Sequence, residues 1–521
     1  MKKAVVVGHR GDGWTMEIPG GAAQYHPDLV AALTEAEERD RPRWIFADLS
    51  KDYALLHRRG ARLERAWDLR LVERIASRAE NREPRFAPEE VDTDAGTLFE
   101  REPEPLDGES LLVDLQSRHL DQMRRAQSTG IATLPRLFAA ESAGGLVAVE
   151  MAAQGIPFDQ TVHNRVLTEL IGPKPTAGFR PRKLQALADK VNEAFGRPVN
   201  PDSPKQMLAA FRADGLEVHS THSWELHDHG HPGVKALKAY REQARIWTAF
   251  GWKWADEWVR DGRFHPVYTV GGADTGRWGT DGGGALQLPH AVREAFRAEK
   301  GMALVVADAA QLEPRLLAAI SGDEQMIAAT AADDLYTELA PQLGGEREKA
   351  KIALISAMYG GMAGDAASLV VLMRRRFPRA FDTVESAART GERGGQVRTW
   401  WGRTVPAPSE KWWKRIYSDD GLQAARRRGR LTRNFIVQGT AAEWALVVLA
   451  ALRRRLYEES LGDLVFFLHD EVMVYCPEER AEAVGRAVTE SAEEATRTLF
   501  GDIPVRIPLR PKTVRSYADA K

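Results

Sequence analysis

The stretch that decides the fold spans residues 303–323, ALVVADAAQLEPRLLAAISGD. Its apolar residues 303–307 predict a short buried strand that stops at Asp308. Beyond a few small residues, Glu313-Pro314-Arg315 begins an apolar-periodic helix, where proline is tolerated because a first helical turn does not use its missing N–H. A carboxylate at the end of a buried strand, close to a glutamate, suits a metal ion held under a substrate. Strand-end aspartates also cap helices, so this segment alone leaves both interpretations open.

A second group of carboxylates follows near the C-terminus. The apolar runs 464–468 and 472–475 predict two strands joined through His469-Asp470-Glu471. So tight a connection predicts a hairpin with both acids at its tip. Acids next to buried strands need a partner, because an unpaired buried carboxylate is costly to desolvate. A metal ion shared with Asp308 would supply that partner.

The segment 346–361, EREKAKIALISAMYGG, places Arg347, Lys351, Ile355 and Tyr359 four residues apart. On a helix this spacing makes one slowly drifting stripe. Two cations followed by an apolar group and an aromatic ring suit a nucleotide, with the cations on its phosphates and a flat surface for its base. A structural stripe with cations that reach solvent is the alternative.

Composition limits the possible classes of protein. The chain has 521 residues, enough for two to four domains, and a formal net charge of −2. Binding to nucleic acid would therefore require local concentration of cations, as in the basic runs 374–376, 426–433 and 453–455, although each run alone is more typical of a solvated helix face. The single cysteine, Cys476, excludes an internal disulfide and a cysteine zinc site. We find no signal peptide and no apolar run long enough to span a bilayer, so we expect a soluble, cytoplasmic protein without a membrane partner.

The N-terminal region predicts a small α/β unit, with strands at residues 4–7 and 44–47 and a helix over residues 61–78. Two-metal nucleases need several carboxylates, usually beginning with an Asp-x-Glu pair on a strand, and no such pair occurs in this region. Asp48 and Asp68 are therefore predicted to be structural.

Six motifs together resemble the DNA polymerases of family A, the DNA polymerase I type, over about residues 135–521. Each motif is weak alone, but six in the family's order and spacing are specific. They are Ser203-Pro204-Lys205-Gln206, Thr275-Gly276-Arg277, Asp308 to Arg315 followed by Ser321-Gly322-Asp323, Arg347-x3-Lys351-x7-Tyr359-Gly360, Arg430-x3-Asn434-x3-Gln438-Gly439-Thr440-Ala441-Ala442-Glu443, and His469-Asp470-Glu471.

The resemblance implies an α+β multidomain chain with a right-hand polymerase fold of palm, fingers and thumb, preceded by a small α/β exonuclease-like domain. The expected divisions are 1–82 for the reduced exonuclease-like domain, 83–109 for an acidic linker or loop, 110–265 for a helical connection and the thumb, 266–335 for the first part of the palm, 336–430 for the fingers, and 431–521 for the second part of the palm.

The resemblance also implies an activity, template-directed addition of dNTPs to a primer 3′-hydroxyl in DNA repair or replication. The implied partners are primer–template DNA and dNTPs, and the protein is expected to act as a monomer. Asp308 and Asp470 would hold two Mg²⁺ ions, Glu471 would support the metal site, and Lys351 could protonate the departing pyrophosphate. The implied dNTP-binding residues are Arg347, Lys351, Tyr359, Glu313, Gln311 and Ile355, with Glu313 crowding the sugar 2′ position, and the implied DNA-binding residues are Arg277, Arg430, Asn434, Gln438 and His469.

The chain departs from the family pattern at several positions. Ile355 stands where an aromatic residue is usual, Leu354 where asparagine is usual, and Tyr336 where a phosphate-binding histidine is usual. Because the N-terminal region lacks the expected carboxylates, it is predicted to have no proofreading activity. Two other interpretations stay open: a single-subunit RNA polymerase, and a non-catalytic protein that binds primer–template DNA on a polymerase fold.

Overall fold

The computed structural model describes residues 4–10, 13–17, 22–82, 108–226, 229–343, 345–360 and 366–520. The chain is α+β and divides into two compact units. The first comprises residues 1–154, 267–281 and 305–513, and the second comprises residues 155–266, 282–304 and 514–521. Most of the predicted acidic linker, residues 83–107, lies outside the described residues, and its last two residues already belong to a helix.

The N-terminal part of the first unit is an α/β sheet with helices. Its elements are β1 (Ala4–Arg10), β2 (Gly13–Glu17), β3 (Gln24–His26), α1 (Val30–Asp40), β4 (Arg43–Phe46), α2 (Asp52–His57), β5 (Ala66–Asp68), α3 (Leu69–Ala79), α4 (Gly108–Ser128) and α5 (Leu134–Gln154). The strand order is β3-β2-β1-β4-β5, with β1, β4 and β5 parallel. Leu146 and Val149 of α5 belong to the hydrophobic core of this sheet, so α5 joins it to the rest of the unit.

The predicted helix over residues 61–78 is wrong in its first half. Trp67 and Asp68 pair with β4 as strand β5, and α3 begins only at Leu69. Asp68 caps this helix by accepting a 2.8 Å hydrogen bond from the N–H of Leu71. The apolar residues behind the helix prediction belong to both elements: those of β5 are buried in the sheet, and those of α3 lie on its buried face.

The second unit is mostly helical. Its elements are β6 (Ile156–Pro157), α6 (Gln160–Ile171), α7 (Arg182–Phe195), α8 (Pro204–Ala213), α9 (Ser223–Leu226), α10 (Pro232–Phe250), α11 (Trp252–Trp258), β7 (Val259–Arg260) and β8 (Arg263–Phe264). Ser203 caps α8 by accepting from the N–H of Gln206, and Pro204 occupies the first turn, as the sequence predicts. The core of this unit includes Phe195, Phe211 and Tyr240.

The remaining elements, apart from short 3₁₀ turns, surround a second sheet. They are β9 (Tyr268–Thr269), β10 (Gly279–Thr280), β11 (Met302–Ala309), α12 (Leu312–Ser321), α13 (Glu324–Ala329), α14 (Leu335–Leu339), α15 (Arg347–Tyr359), α16 (Ala366–Arg376), α17 (Pro378–Glu392), α18 (Glu410–Ile416), α19 (Gly421–Glu458), β12 (Asp463–Leu468), β13 (Glu471–Pro477), α20 (Ala481–Phe500) and β14 (Leu509–Val514). The four-stranded sheet has the order β12-β13-β11-β14. The predicted strand at residues 303–307 is therefore β11, one of its two inner strands.

Helix α19 contains a long apolar stretch that the sequence analysis did not recognise. By length and composition this stretch could cross a membrane, and 83% of it is buried inside the protein. The expectation of no sufficiently long apolar run is therefore wrong. The apolar side chains are explained by packing, because α19 contacts α5, α17 and α20.

Candidate active site

The two aspartates predicted to hold metal ions lie at one end of the four-stranded sheet. Asp308 is the second-last residue of β11, and Asp470 lies in the two-residue turn between β12 and β13. The N–H of Ala309 donates a 3.1 Å hydrogen bond to the carbonyl oxygen of Asp470, so the end of β11 and this turn are neighbours. Both aspartates are half-buried. The sheet thus brings together two acids that are far apart in the sequence.

Glu471 does not lie at the tip of the hairpin, which corrects the sequence prediction. It is the first residue of β13, stands opposite Leu468 in the ladder and is 1% exposed. The turn consists of His469 and Asp470 alone, and His469 has a left-handed φ of 55°. Of the three residues His469-Asp470-Glu471, Glu471 is therefore the buried one.

The donor set of Asp308 and Asp470 fits Mg²⁺. This ion prefers oxygen ligands and usually takes one or two carboxylates, with water and substrate phosphates completing its coordination. Within the described part of the chain, no group of three or more His, Cys, Asp and Glu side chains is arranged to hold a metal ion. A pair of aspartates therefore suits an ion bound jointly with a phosphate rather than one enclosed by protein.

Glu313 and Arg277 form an ion pair that joins α12 to the Thr275-Gly276-Arg277 motif. Their side chains are 19% and 28% exposed, so the pair is partly accessible. His469 is exposed at the hairpin tip, and partial desolvation together with the charge of Arg277 lowers the pKa of its imidazole. The residue predicted to contact the sugar and one predicted to contact DNA are thus direct partners.

Gln311 lies in the turn between β11 and α12, in the left-handed conformation with a φ of 49°. Its side-chain oxygen accepts hydrogen bonds from the guanidinium of Arg315 at 3.2 Å and from the N–H of Leu335 at 3.3 Å. The structure therefore gives Gln311 a role in shaping the turn after Asp308. The predicted contact of Gln311 with a dNTP stays a prediction.

Helix α15 presents the predicted stripe. Its buried residues include Ala350, Ala353 and Leu354, whereas Arg347 is exposed and Lys351, Ile355 and Tyr359 are half-buried. Gly360 ends the helix in the left-handed conformation, and Gly361 lies outside the described residues. The four-residue stripe thus lies along a partly open face, as the nucleotide-binding interpretation requires.

Arg347 is connected to the N-terminal end of α14. Its guanidinium lies 2.9 Å from a carboxylate oxygen of Asp334 and 5.5 Å from the centre of the Tyr336 ring. Burial raises the pKa of Tyr336 to about 12, with opposing effects from Arg347 and Glu313. Arg347 therefore joins the first turn of α15 to Asp334 and Tyr336. Lys351 lies 3.8 Å from Glu348.

The three predicted DNA-binding residues of α19 lie along the helix at four-residue spacing. Arg430 is exposed, and Asn434 and Gln438 are half-buried. Gly439 follows directly, and a Cβ there would lie 3.2 Å from the carbonyl oxygen of Thr275. This glycine lets α19 approach the Thr275-Gly276-Arg277 motif closely, which places the two predicted DNA-binding segments side by side.

Comparison with known proteins assigns the family. The family model described as DNA polymerase family A matches residues 180–514, which is more than half of the chain and includes all six motifs. The chain belongs to DNA polymerase family A. Similar proteins include the thermostable DNA polymerase I of Thermus aquaticus, 30% identical over 54% of this chain and 35% of that protein, and the DNA polymerase I of Chloroflexus aurantiacus, 29% identical over 48% of this chain and 29% of that protein. The chain thus matches about a third of the length of these relatives.

A solved structure agrees with the fold of this family A chain. The POL domain of Pol1 from M. smegmatis, determined with a DNA primer–template and dNTP, superposes with a TM-score of 0.72 and 19% identity. The match covers 99% of this chain and 95% of the other. It therefore includes the N-terminal α/β sheet, which the family model does not reach.

Three buried or half-buried arginines of this family A chain were missed by the sequence analysis. Arg315 is fully buried and donates to the carbonyl oxygens of residues 310, 330, 332, 333 and 506, so it ties the turn after Asp308 to the segment before Asp334. Arg433 donates a 3.1 Å hydrogen bond to the carbonyl of Ala357 near the end of α15. Both lie inside recognised motifs, but only the fold shows what they contact.

Arg403 is the third arginine that was missed from the sequence. It lies beneath the Thr275-Gly276-Arg277 motif and pairs with Glu141 at 2.6 Å, with both side chains at most 3% exposed. A Cβ on Gly276 would lie 2.5 Å from the Arg403 guanidinium. Arg74 of α3 also contacts Glu141, and it donates a 2.8 Å hydrogen bond to the carbonyl of Val270. The N-terminal sheet thus helps to hold the segment that carries Arg277.

Two of the three basic runs, 426–433 and 453–455, are not uniformly solvated, contrary to the interpretation favoured for each run alone. Arg428 is buried and donates to the carbonyl of Pro406 at 2.9 Å, and Arg453 is paired with Glu150 at 2.6 Å. Arg426 and Arg427, by contrast, are exposed. Runs 426–433 and 453–455 therefore combine structural arginines with solvent-facing ones, whereas all three arginines of run 374–376 are exposed, as predicted.

Proposed function

We propose that this chain is a template-directed DNA polymerase that adds dNTPs to a primer 3′-hydroxyl with Mg²⁺ and acts as a monomer in DNA repair or replication. In this proposal residues 266–335 and 431–521 form the palm with the four-stranded sheet, residues 336–430 form the fingers with α15–α17, and residues 110–265 form the helical connection and the thumb. Membership of family A supports the activity, and the fold match supports the division.

The single observation that supports this proposal best is the hydrogen bond between Ala309 and Asp470. It fixes the ends of β11 and the β12–β13 hairpin next to each other, so both aspartates can contact the same phosphate-bound ions. When bound, two ions in such a site activate the attacking hydroxyl and neutralise charge on the transferred phosphate. Asp308 and Asp470 would hold them, and the buried Glu471 would support the turn.

The other residues would bind and orient the substrates. Arg347 and Lys351 would bind the triphosphate, and Lys351 would donate a proton to the leaving pyrophosphate. Glu313, held by Arg277, would crowd the sugar 2′ position and disfavour ribonucleotides. Tyr359 and Ile355 would lie beside the base. Gln311 would contact the dNTP through the turn after Asp308.

Contacts to primer and template are assigned to Arg277, His469 and the α19 stripe of Arg430, Asn434 and Gln438. Asn434 is the most specific of these, because its side-chain oxygen is buried and accepts no hydrogen bond from any described residue. A buried acceptor without a donor is costly, so a donor from a base edge or a sugar would be favourable there.

Primer extension tests the activity. A 5′-labelled primer on a DNA template is incubated with Mg²⁺ and either dNTPs or rNTPs, using the wild type, Asp470→Asn and the matched control Asp463→Asn. Asp463 begins β12, at the opposite end of the same hairpin, where it accepts a 2.9 Å hydrogen bond from Gln154. We expect dNTP extension by the wild type and the control and at least a ~100-fold loss in Asp470→Asn, because a metal-bound carboxylate is replaced.

Other outcomes would refute the proposal in different ways. Extension that prefers rNTPs would indicate an RNA polymerase. Tight binding of primer–template without extension by the wild type would indicate a non-catalytic DNA-binding protein. Equal extension by Asp470→Asn and the wild type would contradict the placement of the metal site.

We further propose that the N-terminal α/β sheet has no proofreading activity. Asp68 is 1% exposed and its two oxygens accept hydrogen bonds from the N–H groups of Leu49 and Leu71. Asp48 accepts from Ser50 and lies 3.0 Å from Arg70. Both acids thus have structural partners. Excision of a mismatched primer 3′ end that disappears in Asp48→Asn or Asp68→Asn would contradict this proposal.

A further inference from the structure

A solvent-facing patch of aromatic and basic side chains lies at the junction of α18 and α19. It consists of Trp413, Lys414, Tyr417, Arg426 and Arg427, and is called the α18–α19 patch below. Tyr417 is 86% exposed and Trp413 is 41% exposed, whereas the three cations are all solvent-facing. Residues 410–430 contain seven basic and three acidic residues in a chain whose formal net charge is −2, so positive charge is concentrated here.

The patch is built on a fixed support. Trp412 donates from its indole N–H to the carbonyl of Ala424 at 3.2 Å, which fastens α18 to the first turns of α19. The neighbouring Trp413 ring lies edge-on to Trp412 at 4.7 Å and rests on the turn at Gly394, where an added Cβ would lie 2.6 Å from it. Tyr417 is four residues after Trp413 and so lies on the same side of the chain. The Trp413 ring is therefore held in place before any partner binds, and Tyr417 projects into solvent beside it.

The cations of the patch are available to a ligand. Arg415 is paired with Asp420, but Lys414, Arg426 and Arg427 form no salt bridge with any described residue. Arg427 makes only a long 3.4 Å contact with Gln423. A ligand with phosphates would therefore not have to displace an internal ion pair.

The patch continues the predicted DNA-binding stripe of α19. Arg426 is four residues before Arg430 and eight before Asn434, so it lies on the same drifting face about 12 Å from Asn434 along the helix axis. Exposed rings next to cations bind unpaired bases by stacking while the cations contact phosphates, and paired bases in a duplex do not offer their faces to such rings. We infer that the α18–α19 patch binds single-stranded DNA, as a site separate from the catalytic residues. If the chain acts as proposed, the unpaired template strand is its natural occupant.

Binding of two labelled DNAs tests this inference. Both share one primer–template duplex; one has a single unpaired template base and the other about 12. Affinities are measured by fluorescence anisotropy without nucleotides, so that polymerisation is not required. The variants are Tyr417→Ala and the double variant Arg426→Gln/Arg427→Gln. Tyr25→Ala and Arg486→Gln/Arg497→Gln are matched controls, because these side chains are also largely exposed but lie elsewhere.

The wild type should bind the long overhang more tightly than the short one. We expect Tyr417→Ala to reduce affinity for the long overhang about fivefold or more, as loss of one stacked base requires, with little change for the short overhang. The double arginine variant should lower the salt dependence of long-overhang binding by about 1.4 in log–log slope, since each phosphate contact with single strands contributes about 0.7. The controls should behave as the wild type.

Two results would overturn the inference: unchanged long-overhang affinity in both patch variants, or equal losses for the two DNAs, which would indicate duplex binding or general damage. Thermal unfolding of each variant separates the second case from misfolding. The assay is also independent of the proposed function. A patch that binds single strands in a chain that cannot extend primers would support the inference and refute the polymerase, and the reverse result would do the opposite.

Discussion

Glu443 should make the protein less stable as the pH rises. This residue of α19 is fully buried and accepts hydrogen bonds from the hydroxyl of Thr399 and from the N–H of Trp401, the latter at 3.0 Å. Burial raises the pKa of its carboxyl to about 7, although both hydrogen bonds and the charge of Arg403 act in the opposite direction. In the unfolded chain the same group has a pKa near 4.5.

The direction of this pH effect on stability follows from proton binding. Between pH 4.5 and about 7 the folded protein holds more protons at Glu443 than the unfolded chain, so its contribution is fully present below pH 4.5 and is lost as the pH approaches and passes 7. The difference in pKa corresponds to about 3 kcal/mol. Glu443→Gln removes this titration and keeps the shape, because the amide can donate to Thr399 and accept from Trp401.

Differential scanning calorimetry at pH 5 and pH 8 measures the effect. The stability gained by Glu443→Gln over the wild type should increase by about 2 to 3 kcal/mol between these pH values, and its melting temperature advantage should be larger at pH 8. The pH effect must be read from the difference in stability between Glu443→Gln and the wild type. Burial also raises the pKa of Asp52 to about 6 and of Asp68 to about 7, so both proteins lose stability through these groups as the pH rises. Glu482→Gln, whose side chain is 91% exposed, should show no such trend. An identical advantage of Glu443→Gln at both pH values would refute the reasoning.

Three further changes test contacts that position the site. Arg453→Met should destabilise the protein by about 3 kcal/mol in thermal unfolding, because the carboxylate of Glu150, which is 14% exposed, would keep only its hydrogen bond from Tyr53; Arg453→Met/Glu150→Met should recover part of the loss, and a cost below about 1 kcal/mol would contradict the role of this pair. Gly276→Ala should weaken binding of primer–template in an anisotropy assay, because the residue has a φ of 86° and the new methyl would meet Arg403; unchanged affinity would show that the loop can move. Ser203→Ala should cost about 1 kcal/mol of stability by removing the cap of α8, with dNTP binding unaffected.

The sequence predicted those elements whose pattern is local. The strand before Asp308, the hairpin around Asp470 and the helix from Arg347 to Tyr359 are all present, because each has its own apolar period and its own end signal. The division into six segments stays a prediction. The assignments to metal, dNTP and DNA also stay predictions, since the structure shows where these side chains lie but not what they bind.

What the sequence could not predict depends on contacts between distant segments. Residues 66–68 have the spacing of a helix but pair with β4, because the neighbouring strand offers hydrogen bonds that a local pattern cannot show. Glu471 was expected at the tip beside Asp470 and is buried instead, because it begins β13, an inner strand whose residues 471–476 are buried on both faces. The pairing of Glu313 with Arg277 could not be predicted either, since no sequence feature sets which carboxylate an arginine will meet.

The N-terminal sheet gains a physical role from these contacts even without nuclease carboxylates. Tyr53 of α2 donates a 2.7 Å hydrogen bond to Glu150, and Arg453 of α19 binds the same carboxylate through two nitrogens at 2.6 Å. Although burial alone would raise it, Arg453 holds the pKa of Glu150 below its usual range, so this carboxylate is charged and must keep its partners. Arg74 adds a second connection, to the segment of Arg277. Loss of the sheet would expose these charged groups and release both α19 and the Thr275-Gly276-Arg277 motif, which gives a reason for its retention that requires no nuclease activity.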